Sequence, residues 1–170
     1  NPLPENTLKG CKESDAILFG AIGHPKFDNN PKLKIRPEQG LLKLRKELGL
    51  FANLRPVKSY KEILSLSPIK QEIIDGVDML IIRELTGGLY FGDKKTNNNI
   101  STDICTYSVS EIERVTNVAI EYAKKRRNKI TLIDKANVLE TSRLWRKTVQ
   151  DISVKHPEIE LDYMFVDNAA

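Results

Sequence analysis

Short apolar runs and helical repeats alternate along this chain. The runs predict strands at Ala16–Ile22, Leu50–Val57, Val77–Ile82, Ile130–Ile133 and Ile159–Val166. Unbroken runs such as AILFGAI are typical of strands that are buried on both faces, as in parallel sheets. Because helices separate the strands, the pattern indicates an α/β fold with a mostly parallel sheet.

Helical spacing of apolar residues marks the segments between the strands. We predict helices at Thr7–Ser14, Glu38–Leu48, Pro68–Asp75 and Val138–Val154, and a further helix that begins after Ser110 as its N-cap. Gly49 is expected to end the second of these helices. Two stretches rich in proline, glycine and asparagine predict loops, at Lys26–Pro37 and Thr86–Tyr107.

The composition is that of an ordinary soluble globular protein. Of 170 residues, 40% are apolar and 29% are charged. No apolar run approaches the ~20 residues that a membrane helix needs, and no charged-then-apolar leader opens the chain, so we expect neither a membrane nor export. Cys11 and Cys105 are too few for a disulfide framework, which favours reduced thiols in the cytoplasm.

The net charge of +4 raises the question of nucleic-acid binding. The densest basic run is Lys124-Lys125-Arg126-Arg127, followed by Lys129. This run ends a predicted helix, where cations complement the negative end of the helix dipole. Because aromatic residues do not interleave with it, as a base-stacking surface requires, we expect no nucleic-acid partner.

One face of the predicted helix 38–48 combines charged and apolar residues. Glu38, Leu41, Leu42 and Arg45 are three or four positions apart, so they share that face. The face is either a binding surface or an ordinary core stripe of leucines from which Arg45 extends to water.

Two arginines accompany apolar strands. Arg55 lies in the stretch LFANLRPV, and Arg83 directly follows MLII. An unpaired cation in such surroundings is costly, so each arginine needs an anion, and ligands of α/β sheets bind beyond the carboxyl ends of strands. The alternative is a pair of structural salt bridges, although Arg83 and its neighbour Glu84 face opposite sides of a strand. With Arg45, three arginines suggest a substrate with more than one carboxylate.

Asp134-Lys135 also follows an apolar strand. Lys135 is either a surface residue or, near other cations, a base. Tyr90 in the glycine-rich loop and Asp167 after the last strand complete the candidates. His24 and His156 lie far apart in the sequence without a partner at metal-ligand spacing, so neither is assigned to zinc.

Several segments around these residues resemble the β-decarboxylating dehydrogenases, a family that includes isopropylmalate and isocitrate dehydrogenases. RPEQGLLKLRKELGLFANLRPV resembles the family's substrate segment, IIRELTGGLYFG its arginine-plus-tyrosine segment, LIDKANVLETSRLWRKTV its lysine segment, and FVDNAA the start of its first metal-aspartate region. The resemblance implies an isopropylmalate dehydrogenase-like two-domain α/β fold, incomplete in this chain. Residues 1–53 would belong to a terminal, cofactor-side domain and residues 54–170 to a central substrate and dimerisation domain.

The resemblance also implies roles for the candidate residues. Arg45, Arg55 and Arg83 would hold the carboxylates of a 2-hydroxy diacid. Lys135 would take the hydroxyl proton as hydride leaves for NAD, and Tyr90 would protonate the enol that remains after loss of carbon dioxide. Asp167 would bind a divalent ion, Mg²⁺ or Mn²⁺, and with it the substrate.

Contacts to NAD are implied in the same way. Glu38 and Asn137 match positions at the nicotinamide end of the cofactor, and Pro25 and Lys26 belong to a loop that borders it. The family usually has glycine where this chain has His24, a difference that could change the turn on the cofactor side.

The apolar members of the site favour one substrate within the family. Isocitrate dehydrogenases have polar residues where this chain has Leu41 and Leu42, because their substrate carries a third carboxylate. Leu41, Leu42 and Val138 instead favour an isopropyl group, whose burial contributes ~2 kcal/mol. We therefore expect 3-isopropylmalate rather than isocitrate, tartrate or related malates.

The resemblance implies a homodimer with a shared site, in which Lys135, Asn137 and Asp167 come from the neighbouring subunit. The family's opening strand, its two further metal aspartates and its adenosine-binding loop have no match in the sequence. Two hypotheses follow: an NAD-dependent dehydrogenase of leucine biosynthesis, or a non-catalytic partial gene product that at most associates with other chains.

Overall fold

The computed structural model describes residues 1–28, 33 and 35–170. The chain divides into two compact units, Asn1–Phe51 and Ala52–Ala170. The described part of the first unit contains helices α1 (Glu5–Glu13), α2 (Pro25–Asp28) and α3 (Pro37–Glu47). The second unit contains helices α4 (Gln71–Ile74), α5 (Val109–Lys124), α6 (Glu140–Ser153) and α7 (Val166–Ala169), together with six strands. No helix in these described ranges is long and apolar enough to cross a bilayer.

The strands pair two by two. β1 (Ala52–Lys58) runs antiparallel to β2 (Asp78–Glu84), β3 (Lys94–Asn97) antiparallel to β4 (Ile100–Asp103), and β5 (Lys129–Asp134) parallel to β6 (Glu160–Phe165). The α/β class is confirmed, but within the described residues the parallel arrangement is found in the β5–β6 pair alone. A parallel pair needs a long crossover, which α6 supplies, whereas the link from β1 to β2 contains only short helical turns.

Helix α3 organises the first unit. Pro37 lies in its first turn, where a missing N–H is tolerated, and Gly49 follows its C-terminus with φ +63, as predicted. Leu44 is a buried residue of this helix. Gly40 is buried as well, since a Cβ atom there would lie 2.6 Å from the carbonyl oxygen of Pro2. A glycine at this position therefore lets the first residues of the chain lie directly on α3.

The strand predicted at Ala16–Ile22 is wrong. This segment is irregular and exposed, with Leu18 fully open to solvent. A strand forms only where its backbone finds a partner, and no part of the described chain pairs with it, so apolar character alone was misleading. The neighbouring loop predicted at Lys26–Pro37 begins with the helix α2, and residues 29–32 and 34 of that prediction lie outside the described residues.

The core of the second unit lies between α5, α6 and the β5–β6 pair. Ile120 and Ala123 of α5 pack with Ile152 of α6 and with Ile159, just before β6. Burial of each branched side chain contributes about 1.5–3 kcal/mol. Helix α5 also packs against β2, so one helix positions the strands of both pairs.

The N-cap of α5 is Ser108, two residues before the predicted Ser110. The Ser108 backbone N–H donates to Glu111 Oε2 at 2.7 Å, and the Glu111 backbone N–H donates to Ser108 Oγ at 3.3 Å. This reciprocal pair is a capping box, and it satisfies two N–H groups that a helix start leaves open.

Candidate active site

The first unit presents the α3 face predicted from the sequence. Glu38 is exposed, and Leu41, Leu42 and Arg45 are half-buried, while Leu44 faces the core. The leucines therefore divide between a core position and a face that solvent reaches. Both of the alternative interpretations of this helix are represented, and the half-buried pair leaves apolar surface beside the Arg45 guanidinium.

Glu38 lies beside the turn that precedes α2. Its Oε1 atom is 3.7 Å from the position that a Cβ atom would take on Gly23, whose φ of +128 is suited to glycine. Pro25 and Lys26 follow this turn and are exposed. The carboxylate and the predicted cofactor-side loop are therefore neighbours within the first unit.

His24 shapes that turn. Its ring Nδ1 accepts from the Lys26 backbone N–H at 3.3 Å, and its carbonyl accepts from the Phe27 backbone N–H at 2.9 Å. The imidazole thus caps the start of α2 in the way that an Asn or Ser side chain does. A glycine at this position would have no side chain to make this contact.

In the second unit, Arg55 of β1 and Arg83 of β2 share one face of the antiparallel pair. Arg83 is directly opposite Asn53, and the Arg55 Nε–H donates to the Asn53 side-chain oxygen. Residues two apart on a strand point the same way, so both guanidinium groups lie on the Asn53 side. Two forked cations on one surface suit an anion with two carboxylates.

The reason given for these arginines from the sequence is wrong in part. Both side chains are exposed rather than buried, and Arg55 lies mid-strand rather than at a carboxyl end. Because β1 and β2 are antiparallel, the edge rule for parallel sheets does not apply to them. The register of the pair, not burial, brings Arg55 and Arg83 together.

Tyr90 joins this group. It lies on a single 3-10 turn, Gly88–Tyr90, and the Arg83 guanidinium carbon is 5.2 Å from the centre of its ring. This distance is that of a cation–π contact. The phenol is half-exposed, so an external molecule held by the arginines can reach it.

A buried carboxylate supports the turn that carries Tyr90. Glu84, the last residue of β2, has a side chain that is 1% exposed and forms an ion pair with Arg114 of α5 at 2.9 Å. It also accepts from the backbone N–H groups of Thr86 and Gly87 at 2.8 and 2.7 Å. This role was not predicted from the sequence, although an acidic residue three positions before the Gly87-Gly88 pair is an available signal.

Lys135 and Asp167 form a second group. The Lys135 ammonium donates to Asp167 Oδ2, so the two candidates from separate segments are in contact. This hydrogen bond lowers the pKa of Asp167 from its ordinary value of 3.8. The charged partner of Lys135 is therefore a carboxylate and not a cation, whereas the interpretation of Lys135 as a base had required cations nearby.

The turn that carries Lys135 is held by Arg146 of α6. The Arg146 guanidinium grips the buried Asp134 carboxylate with two hydrogen bonds of 2.8 and 2.9 Å, and these bonds raise the pKa of Arg146. Asp134 Oδ1 also accepts from the Ala136 backbone N–H at 3.0 Å. The Arg146 guanidinium carbon lies 5.0 Å from the ring centre of Tyr163, so the support is anchored on β6.

Arg143, one turn earlier on α6, holds the next part of this segment. Its Nε–H donates to the carbonyl of Ala136 at 3.0 Å, and its Nη2 group donates to the carbonyl of Asn137 at 3.4 Å. The side chains of Asn137 and Val138 remain exposed or half-exposed. Together Arg143 and Arg146 line an open cleft with Asn137 and Phe165. Neither arginine was predicted from the sequence to support the site.

The described residues do not complete a metal site. They contain no group of three or more histidine, cysteine, aspartate or glutamate side chains that could hold an ion. Asp167 offers one carboxylate, and Mg²⁺ or Mn²⁺ needs several oxygen ligands. In the part of the chain that the structure describes, Asp167 therefore does not belong to a group of three or more such ligands.

The basic run near the end of α5 is engaged in structural contacts. Arg126 donates to the Asp78 carboxylate at 2.6 Å, and Arg127 donates to the Asp78 carbonyl at 3.0 Å. Lys124 and Lys129 form ion pairs with Glu158 and Glu160. Arg126 and Arg127 thus join the end of α5 to β2, Lys124 joins it to the segment before β6, and Lys129 joins the first residues of β5 and β6.

Comparison with known proteins identifies the family to which this chain is similar. The model of the isocitrate/isopropylmalate dehydrogenase family matches residues 1–170. A 3-isopropylmalate dehydrogenase of Bacteroides fragilis (strain YCH46) is 55% identical over 170 residues, which cover 100% of this chain and 48% of that protein. A 3-isopropylmalate dehydrogenase of Listeria monocytogenes serotype 4b is 52% identical, with 100% and 48% covered. The chain spans about half the length of the curated relatives that it matches.

Solved structures agree on the fold. A β-decarboxylating dehydrogenase from Thermococcus kodakarensis, in its apo form, superposes with a TM-score of 0.67 at 32% identity, over 96% of this chain and 43% of that one. A protein from Thermus thermophilus superposes with a TM-score of 0.81 at 21% identity, over 98% and 32%, a likeness that bears on the fold alone. Since the family model covers every residue, the chain belongs to the isocitrate/isopropylmalate dehydrogenase family.

Proposed function

We propose that this chain is part of an NAD-dependent dehydrogenase of leucine biosynthesis. It would convert (2R,3S)-3-isopropylmalate to 4-methyl-2-oxopentanoate and carbon dioxide. The observation that carries the proposal is the grouping of Arg55, Arg83 and Tyr90 on one surface of β1–β2. Membership of the family, with relatives named 3-isopropylmalate dehydrogenase, supports the choice of reaction.

Arg55 and Arg83 would hold the substrate through its carboxylates. Both guanidinium groups are exposed on the same face, so each can form paired hydrogen bonds with a carboxylate. Arg45 on α3 would supply the third cation. Leu41, Leu42 and Val138 would contact the isopropyl group and exclude water from it.

Lys135 would take the proton of the substrate hydroxyl. NAD⁺, when bound, would accept a hydride from the carbon that carries this hydroxyl, and the resulting β-keto acid would lose carbon dioxide. To act as a base, Lys135 would first give up a proton from its ammonium group and then exchange its contact with Asp167 for the substrate hydroxyl. Tyr90, held beside Arg83, would then protonate the enol carbon and complete the product.

Glu38, Pro25 and Lys26 would contact the cofactor on the first unit, where the Glu38 carboxylate lies beside the Gly23 turn. Asn137 would contact its nicotinamide end. A requirement for Mg²⁺ or Mn²⁺ would need oxygen ligands in addition to Asp167, and we derive no step through the ion. We also propose that the enzyme is a cytoplasmic homodimer in which Lys135, Asn137 and Asp167 serve the partner's site. Residues 1–53 would belong to its cofactor-side domain, and residues 54–170 to its central substrate and dimerisation domain.

The test is the formation of NADH from 3-isopropylmalate with Mg²⁺ or Mn²⁺. It is run with this chain and with a form extended at both ends to the length of its relatives. We expect turnover in the extended form, and there Arg55→Met and Arg83→Met should each lower kcat/KM about 10- to 100-fold, since a hydrogen bond to a charged group contributes about 1.5–3 kcal/mol.

Lys58→Met is the matched control, because Lys58 is an exposed cation on β1 at a position that points to the opposite face. Its kcat/KM should stay at the parent value. An extended form without turnover would overturn the enzyme assignment.

A non-catalytic partial product is the second candidate. It is favoured by one observation, the 48% of each curated relative's length that the chain spans. Turnover by the 170-residue chain itself would exclude it. If the 170-residue chain formed no NADH while the extended form did, the result would support the second candidate. It would leave the family assignment unchanged.

A further inference from the structure

We propose that Glu84 is a positioning residue for Tyr90, with Arg114 as its counter-ion. The inference rests on the role of Tyr90 proposed above. Glu84 does not touch the surface on which Arg55 and Arg83 lie, because adjacent strand residues face opposite ways. It acts from the buried side of β2, through the turn that leads to Tyr90.

Both oxygens of the Glu84 carboxylate are used. Oε2 accepts from the backbone N–H groups of Thr86 and Gly87 at 2.8 and 2.7 Å. Oε1 accepts from the Thr86 hydroxyl at 2.6 Å and from the Arg114 guanidinium at 2.9 Å. Every one of these neighbours donates, which matches the two acceptor oxygens of the carboxylate.

The turn that Glu84 fixes continues rigidly to Tyr90. The Gly88 backbone N–H donates to the Thr106 carbonyl at 2.9 Å, and the Gly88 carbonyl accepts from the Gly92 backbone N–H at 3.0 Å. Gly88 has φ +72, in the region that favours glycine. The Tyr90 turn is therefore tied at both ends, and Glu84 provides the tie on the β2 side.

The ring of Tyr107 forms the floor of this turn. A Cβ atom added to Gly87 would lie 2.8 Å from that ring, and one added to Gly88 would lie 2.3 Å from the Tyr107 hydroxyl. Only glycines can therefore pack so closely against Tyr107. Tyr107 in turn meets Trp145 edge to face, with ring centres 5.5 Å apart and planes at 86°. Trp145 is the one tryptophan of the sequence, and it can report optically on whether the turn is seated.

Substitution of Glu84 by glutamine tests the idea. The side-chain amide has one oxygen, so its NH₂ group must face either the two backbone donors or the Arg114 and Thr86 pair. In the form of the enzyme that turns over, we expect Tyr90→Phe to lower kcat about 100-fold, in the range of general acid catalysis, and Glu84→Gln to lower it about 10-fold or more.

The double variant separates positioning from mere support of the fold. If Glu84 acts through Tyr90, adding Glu84→Gln to Tyr90→Phe should cost less than about 2-fold in kcat, because the two losses are not independent. Two losses that multiply would overturn the proposal. A Tyr90→Phe variant with full kcat would instead refute the proposed function of Tyr90.

A second readout needs no activity. In the 170-residue chain, Glu84→Gln should shift the fluorescence of Trp145, whereas Glu113→Gln, an exposed glutamate on α5, should leave it unchanged. If Glu84→Gln fails to fold, Thr86→Val and Thr86→Ser replace it: valine removes the hydroxyl donor and should shift the signal, and serine should restore it. A Trp145 signal that is the same in all of these variants would overturn the seating of the turn by Glu84.

Discussion

Leu41 and Leu42 lie half-buried on α3, between the carboxylate of Glu38 and the guanidinium of Arg45. If they contact the isopropyl group, replacing both with asparagine should lower kcat/KM for 3-isopropylmalate about 30-fold, which corresponds to ~2 kcal/mol of lost apolar contact. The kcat/KM for malate, which lacks the alkyl group, should change much less.

Leu50→Asn is the control for this pair, since Leu50 is an exposed leucine just after the same helix. It should leave the ratio of the two kcat/KM values as it was. Equal losses on both substrates in the double asparagine variant would show that the leucines support the helix rather than select the substrate.

The contact between Lys135 and Asp167 predicts a pH dependence. The hydrogen bond from Lys135 lowers the pKa of Asp167 below 3.8. A depressed carboxyl pKa means that the contact stabilises the fold above about pH 3.8, and that this contribution is lost as the pH falls through the lower, folded-state value. Because Asp167 is well exposed, solvent screens the pair and its effect on stability is small.

An NMR titration of the Asp167 carboxyl carbon measures this pKa directly. Lys135→Met should raise it towards 3.8. Lys147→Met should not, because Lys147 pairs with Asp151, a different acid on α6. An Asp167 titration that ignores the loss of Lys135 would contradict the contact.

At the scale of single elements, the sequence predicts a helix well where neighbouring residues determine its start and end. The helix that carries Glu38 and Arg45 was predicted to within one residue at each end. Gly49 was also predicted correctly as the residue that ends it. The cap of α5 was misplaced because Ser108 and Ser110 each have a glutamate three residues on, and the sequence does not choose between them. The structure chooses Ser108 through its contacts with Glu111.

The pairing between strands could not be predicted from the sequence. The apolar run Ala16–Ile22 lacks a described partner, and the register of Asn53 with Arg83 is a long-range contact that no local pattern encodes. The hairpin of β3 and β4 was predicted as loop, although Asn98, with φ +50, is a residue type suited to its turn. Sequence context singled out the arginines, Lys135, Tyr90 and Asp167 as candidates, and the family resemblance gave them roles. Their supports Glu84, Arg143 and Arg146 depend on contacts between elements that are distant in the sequence, so no local pattern revealed them.

At the scale of the whole molecule, the second unit leaves apolar surface open. On β1–β2, Val57 lies opposite Met79, and both are exposed on the face that also carries Arg55 and Arg83. Within the described residues, β1 and β2 pair only with each other, so neither outer edge has a strand partner. An apolar face beside open strand edges favours association between copies of the chain.

We therefore expect the 170-residue chain to self-associate as its concentration rises, which size-exclusion chromatography with light scattering measures. Met79→Lys places a charge on the open face, opposite Val57, and should shift the distribution towards monomer. Val154→Lys is the matched control, because Val154 is 80% exposed and lies at the C-terminal end of α6 rather than on the β1–β2 face. Equal shifts from both substitutions would mean that net charge, rather than the β1–β2 face, governs association. A chain that stays monomeric at every concentration would show that this face is protected in solution despite its exposed apolar side chains.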